Sequence, residues 1–173
     1  MARWLSAHRE SLLLALILAV AAGLRLYGLD WDGGQWLHPD ERQIYFVTLG
    51  LDWPDSLGEA LSPASPLNPK FFAYGSLPFY LLRLVVGLVS LVWPAVRDPD
   101  NLHLAARSLS ALFDLGTVCL TYRLARTLWP TAGPGSEPRS PSSSSAGIGL
   151  LAAALVGVAV LHIQIAHFYT ADT

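Results

Sequence analysis

The sequence predicts an all-α integral membrane protein with about three transmembrane helices, one interfacial or re-entrant helix, and a long outer loop that carries short helices. Of its 173 residues, 53% are hydrophobic and only 14% are charged, against roughly 25% charged in soluble domains. Apolar runs long enough to cross a bilayer recur along the chain. Arginines flank several of these runs, which is typical of membrane spans.

The first predicted span covers residues 12–29 and follows a basic N-terminal stretch. It contains Arg25, which we expect to reach the far interface on its aliphatic stem. The same pattern also fits a cleaved signal peptide, because Ala19 and Ala21 have the small-x-small spacing of a cleavage site. We interpret the run as a retained span, since the later spans need no separate signal.

Residues 30–76 are polar, aromatic and rich in acidic side chains, which indicates a long loop outside the bilayer core. A short helix is predicted from Pro39 to Leu51. Proline suits the first position of a helix, and Asp40 and Glu41 would then lie near its positive end.

Three further segments complete the prediction. Residues 77–96 are apolar but contain Arg83 and prolines near both ends, so we expect an interfacial or re-entrant helix. Residues 104–128 and 148–167 are predicted spans. Between them, residues 129–146 are rich in glycine, proline and serine, which is typical of a flexible connector.

The distribution of arginines predicts the orientation. Arg3 and Arg9 put the N-terminus in the cytoplasm, and Arg123, Arg126 and Arg139 put the connector 129–146 there too. The number of crossings between them must then be even. We therefore expect residues 77–96 not to cross, so that the outer loop and the C-terminal residues share the outer compartment. The alternative is four full spans, which would separate them.

The predicted span 104–128 carries a polar stripe on one face: Arg107, Ser110, Asp114, Thr117 and Thr121. Arg107 and Asp114 are about 10 Å apart along a helix axis, too far for a direct ion pair. We therefore predict that each of them has another partner. The stripe should face other helices, because charged groups facing lipid are costly.

The motif His38-Pro39-Asp40-Glu41 follows the first span and is the strongest candidate for chemistry. A carboxylate at the membrane surface can act as a general base toward a hydroxyl group, and an arginine such as Arg25 can hold a phosphate. The same residues also fit a solvated loop with an acidic helix start. Both interpretations stay open on the residues alone.

An ordered series of motifs resembles the C superfamily of polytopic glycosyltransferases, in the protein-mannosyltransferase and aminoarabinose-transferase-like group (glycosyltransferase family 39-like). The resemblance covers nearly the whole chain: Arg25-Leu26, His38-Pro39-Asp40-Glu41, and residues 68–81, 107–113 and 167–173. It implies that the chain is the N-terminal portion of a membrane glycosyltransferase domain. We expect further spans to follow in a complete enzyme, so that the fragment itself would lack activity.

This resemblance implies sugar transfer from a polyprenyl-phosphate donor to an acceptor hydroxyl at the outer face of the cell membrane. Asp40, with Glu41 beside it, corresponds to the catalytic acidic pair. The candidate substrate-binding residues are Arg25, Lys70, Tyr74, His167 and Asp172. Some relatives have an acidic-basic pair where this chain has Tyr74, Gly75 and Ser76, and this difference leaves phosphate contact and metal binding open. The sugar and the acceptor cannot be read from the sequence.

Cofactors and other partners are less defined. A divalent metal could be held by side chains that converge in three dimensions, with His38, Asp40, His167 and Asp172 as the candidates. The single cysteine, Cys119, excludes an intrachain disulfide. Nothing in the composition indicates nucleic acid, whereas membrane lipid is an expected partner. The alternative functions are a multi-span accessory subunit and a transporter fragment with Arg107 and Asp114 along its substrate path.

Overall fold

The computed structural model describes residues 2–129 and 144–171, with side chains from residue 8 in the first range and from residue 145 in the second. The described residues form an all-α fold, as predicted. The helices are α1 (Ala2–Leu26), α2 (Pro39–Leu49), α3 (Leu57–Ala60), α4 (Leu77–Val89), α5 (Pro99–Leu128), α6 (Ser144–Gly157) and α7 (Val160–Ala166), with a 3₁₀ helix at Pro94–Arg97. The chain divides into unit 1, Met1–Tyr27 with Ala111–Ala166, and unit 2, Gly28–Ser110 with His167–Thr173.

One helix in the described ranges, α5, is long and apolar enough to cross a membrane. Helices α6 and α7 would supply a second crossing if they form one span, but they are bent by 57° at a break between them. This break divides the predicted span 148–167. Most of the predicted connector, residues 130–143, lies outside the described residues, and α6 already begins at Ser144.

The helix predicted from the acidic motif is confirmed as α2, in unit 2. Pro39 occupies its first turn, and the ring nitrogen Nδ1 of the N-cap residue His38 accepts a hydrogen bond from the backbone N–H of Glu41 at 3.4 Å. Asp40 and Glu41 stand in the first turn, where the helix dipole favours negative charge. The cap and the dipole together explain why the helix begins at this motif.

Helix α4 packs on α2 and buries Phe79, Leu82 and Val86 along one face. Its 13 residues correspond to about 20 Å, short of the roughly 30 Å thickness of a bilayer core. The opposite face exposes Leu84 and Leu88. The predicted segment 77–96 is therefore a shorter helix followed by the 3₁₀ turn.

The hydrophobic core of unit 2 joins α2, α4 and the first part of α5 through Ile44, Tyr45, Phe79, Leu82, Val86, Leu102 and Ala106. The loop before α2 approaches this core closely at Gly34. Its φ of +72° suits glycine, and a Cβ atom there would lie 3.2 Å from both the carbonyl oxygen of Asp100 and the ring of His103. A side chain at Gly34 would therefore push the loop off α5.

Unit 1 packs α1 against α6 and α7 and has a small core of Val118, Tyr122 and Ala153. At Gly149, α6 approaches α5 closely. A Cβ atom there would lie 2.7 Å from the Cγ of Arg126 and 3.0 Å from the backbone oxygen of Tyr122. Because that oxygen belongs to the backbone and cannot rotate away, α6 needs a glycine at this contact.

Arg25 binds backbone carbonyl groups at the break between α6 and α7. Its guanidinium donates to the carbonyl oxygens of Gly157 at 2.7 Å and Val156 at 3.3 Å, at the carboxyl end of α6, where the last carbonyl groups have no donor within the helix. Arg25 also pairs with the carboxylate of Asp114, whose second oxygen lies 2.7 Å from Nδ1 of His162. Arg25 is thus fully buried in unit 1, whereas the sequence predicted that it extends to the interface.

Candidate active site

Asp40 and Glu41 are adjacent in α2, but their side chains lie in different environments. Consecutive helical residues point about 100° apart, so one of them can face the core while the other faces outward. Glu41 is completely buried and Asp40 is half-buried. The two carboxylates of the predicted catalytic pair are therefore not equivalent.

Glu41 forms hydrogen bonds with four residues of unit 2. Arg107 donates from Nε to Oε1 at 2.9 Å and from Nη2 to Oε2 at 2.7 Å, which is a bidentate pair. The hydroxyl of Tyr45 donates to Oε1 at 2.6 Å, and the backbone N–H of Tyr169 donates to the same oxygen at 3.0 Å. The fourth residue is His38, whose ring nitrogen Nδ1 accepts a hydrogen bond from the backbone N–H of Glu41.

The guanidinium of Arg107 uses all five of its N–H donors. Besides the two bonds to Glu41, it donates to Oδ1 of Asp32 at 2.9 Å, to Oδ2 of Asp32 at 2.8 Å, and to the carbonyl oxygen of Leu29 at 2.6 Å. The ring of Trp31 stacks 5.3 Å from its central carbon. Two carboxylates and one guanidinium thus form a buried network that joins the loop before α2, α2 itself and α5.

The network also contacts Phe168 and Tyr169, which belong to the C-terminal motif of the family resemblance. Tyr169 is buried, and its hydroxyl donates to the carbonyl oxygen of Pro78 at 2.8 Å. The ring of Phe168 packs 4.8 Å from His38 and 5.5 Å from Trp31. Two motifs separated by more than a hundred residues in sequence therefore meet at the first turn of α2.

These contacts shift the pKa values of Asp32 and Tyr45 in unit 2. Burial opposes ionisation of Asp32, but the hydrogen bonds from Arg107, Leu37 and Gly34 and the charge of Arg107 prevail and lower its pKa to about 2. Burial, and then the nearby charge of Glu41, raise the pKa of Tyr45 far above its usual range. Tyr45 therefore stays protonated and remains a hydrogen-bond donor.

Asp40 has a simpler environment. The hydroxyl of Tyr74 donates to its Oδ1 at 2.8 Å, and Tyr74 is itself fixed by an edge-to-face contact with Phe71 at 5.3 Å. No other side-chain hydrogen bond to Asp40 is present within residues 8–129 and 145–171. Asp40 is thus a partly exposed carboxylate held by one donor and backed by the buried Glu41 network.

The other predicted substrate-binding residues have different settings. Arg25 is fully engaged in unit 1. Lys70 is exposed in a turn of unit 2 with a φ of +53° and lines a cleft of about 270 Å³. His167 is half-buried in unit 2, and Asp172 lies outside the described residues. The structure thus joins Tyr74 to Asp40, and the other substrate-binding assignments stay predictions.

No group of three or more His, Cys, Asp or Glu side chains within the described ranges has the arrangement of a metal site. The proposed set His38, Asp40, His167 and Asp172 includes one residue outside those ranges, so it stays a prediction. Searches for protein families, curated proteins and solved structures similar to this chain find no match.

Acid should weaken unit 2 through Asp32. Its pKa is 3.8 in an unfolded chain and about 2 in the folded protein, so its stabilising contribution is complete above about pH 4 and is lost as the pH falls through about 2. The difference corresponds to about 2 kcal/mol of unfolding free energy. Thermal unfolding in detergent between pH 5 and pH 2 should show a shallower loss for Asp32→Asn than for the wild type. Equal pH slopes would contradict the assignment.

Proposed function

We propose that this chain belongs to a membrane glycosyltransferase of the protein-mannosyltransferase and aminoarabinose-transferase-like group, which transfers a sugar from a polyprenyl-phosphate donor to an acceptor hydroxyl at the outer face. The observation that carries the proposal is the contrast within the acidic pair. Asp40 is partly exposed, and the hydroxyl of Tyr74 orients its carboxylate. The carboxylate of Glu41 instead accepts hydrogen bonds from Arg107, Tyr45 and the backbone N–H of Tyr169. An acidic helix start in a solvated loop would not require a buried ion-pair network beneath it.

In the proposed reaction Asp40 is the general base. It accepts the proton of the acceptor hydroxyl as that oxygen attacks the anomeric carbon of the sugar. The bond between the anomeric carbon and the phosphate oxygen breaks, and the polyprenyl phosphate leaves with the bonding electrons. Attack from the face opposite the leaving group inverts the anomeric configuration.

The neighbouring residues then have distinct roles. Tyr74 orients the carboxylate of Asp40, and Glu41 acts as a positioning residue that fixes the first turn of α2. Lys70 is the better candidate for phosphate contact, because its side chain is exposed and the guanidinium of Arg25 already binds Asp114 and backbone carbonyls. A cation beside the phosphate would stabilise the charge that develops on the leaving group.

The donor class can be tested directly. Membranes from cells that produce the protein from its native gene should transfer labelled sugar from a polyprenyl-phosphate donor, and membranes from cells that lack the protein provide the control. Transfer from a nucleotide sugar in the absence of the lipid donor would contradict the proposal. Constant co-purification with a larger membrane protein, without any transfer, would favour the accessory-subunit alternative. The transporter alternative is less favoured, because Arg107 is fully buried with every donor used.

We further propose a multi-pass protein of the cell membrane with a cytoplasmic N-terminus and with residues 77–96 at the outer interface. The length of α4, about 20 Å, and its apolar exposed face support an interfacial position. Reporter fusions after Val92 and after Asp100 should therefore both report the outer compartment. A cytoplasmic signal at Asp100 would require four crossings and would overturn this topology.

A further inference from the structure

Unit 1 contains a cavity of about 670 Å³ that the proposed sugar transfer does not use. Its size falls in the range of roughly 300–1,000 Å³ that is typical of small-molecule sites. The polar part of its wall comes from Tyr122, Arg123, Arg126, Thr127 and Ser145, and the apolar part comes from Leu14 and Cys119. Such a wall fits a molecule with one charged end and one apolar end.

The depth of these residues along α5 separates the two kinds of wall. Arg123 is five residues before the last residue of α5, Leu128, and Cys119 is nine residues before it. These intervals correspond to about 8 Å and about 14 Å along the helix. The arginines can therefore reach the headgroup level, while the floor of the cavity lies at the depth of hydrocarbon.

The charge of the cavity wall favours an anion. Arg126 forms an ion pair with Glu10, with Nη1 of Arg126 2.7 Å from Oε1 of Glu10, and it also donates at 3.0 Å to the hydroxyl of Tyr122, which itself donates to Glu10. Arg123 is exposed and forms no ion pair within the part of the chain that the structure describes. Within the described residues, the guanidinium of Arg123 is thus unneutralised, beside the guanidinium of Arg126 that is paired with Glu10.

The helix dipoles at this end oppose each other. The carboxyl end of α5 disfavours an anion, whereas the amino end of α6, which borders the cavity through Ser145, favours one. Because the two ends offset one another, attraction must come mainly from the arginines. We propose that this cavity binds an anionic glycerophospholipid of the cytoplasmic leaflet, with its phosphate at Arg123 and Arg126 and an acyl chain along Leu14 and Cys119.

The proposal rests on membrane insertion of unit 1 and not on sugar transfer, so the two can fail separately. The purified chain in detergent should retain phosphatidylglycerol in preference to phosphatidylcholine in native mass spectrometry. Arg123→Gln should lower its apparent affinity about tenfold, because it removes one charge-assisted phosphate contact. Arg123→Lys should retain most of the binding, since it keeps the charge in an exposed position.

Arg9→Gln is the matched control, because Arg9 is an exposed arginine of α1 that does not line the cavity. It should change phosphatidylglycerol retention less than twofold at physiological salt, where exposed charges are screened. Equal losses in Arg123→Gln and Arg9→Gln would assign the effect to general surface charge and overturn the site. Equal retention of the two lipids would overturn it too, as would displacement of phosphatidylglycerol by inorganic phosphate at the same concentration.

Discussion

Asp40→Asn is expected to lower the proposed sugar transfer about 10² to 10⁴-fold, which is the usual cost of losing a general base. Folding and membrane insertion should be nearly unchanged. Asparagine keeps the shape of the side chain and can still accept the hydrogen bond from Tyr74. It cannot take up a proton from the acceptor hydroxyl, so the loss should appear in turnover.

The measurement is transfer from a polyprenyl-phosphate sugar by purified variants matched for folded protein. Asp55→Asn is a suitable control, because Asp55 is an exposed carboxylate in the same predicted loop, residues 30–76. It should keep wild-type activity. Wild-type turnover in Asp40→Asn would remove the catalytic assignment, and activity that falls only in proportion to folded protein would point to a structural role.

The sequence predicted the helices best where local signals mark their ends. Proline and acidic residues at the start of α2 gave its first residue correctly, and the predicted end at Leu51 was only two residues late. The break between α6 and α7 was missed, because residues 148–161, which include it, are continuously apolar. The contacts that Arg25 makes to the carbonyls of Val156 and Gly157 are tertiary, and no local sequence pattern predicts them.

The candidate site was predicted only in part, because its contacts too are tertiary and join residues far apart in sequence. The spacing of Arg107 and Asp114 predicted that each needs another partner, and this is confirmed by Asp32 and Glu41 for Arg107 and by Arg25 for Asp114. The identity of those partners was not predicted. Asp32 is 75 residues from Arg107 in sequence and looks like any loop aspartate, so only the folded chain distinguishes it.

Arg107→Met is expected to destabilise unit 2 by about 3–5 kcal/mol, which is the usual cost of removing one partner from a buried ion pair. Methionine fills much of the volume but offers no donor, so Asp32 and Glu41 would be left buried without their shared cation. Since whole proteins are stable by only about 5–15 kcal/mol, most of the folded population should be lost on mild heating. Thermal unfolding in detergent, followed by circular dichroism and size-exclusion chromatography, measures the effect.

The matched control is Arg83→Met, which removes an arginine from an ion pair of the same unit at the surface. Arg83 lies 3.0 Å from Asp52, whose side chain is 77% exposed, so this change should cost no more than about 1 kcal/mol. Adding Asp32→Asn and Glu41→Gln to Arg107→Met should recover part of the lost stability, because neutral side chains are cheaper to bury than unpaired carboxylates. Equal melting temperatures for the two arginine variants would show that the Arg107 network does not hold unit 2 together.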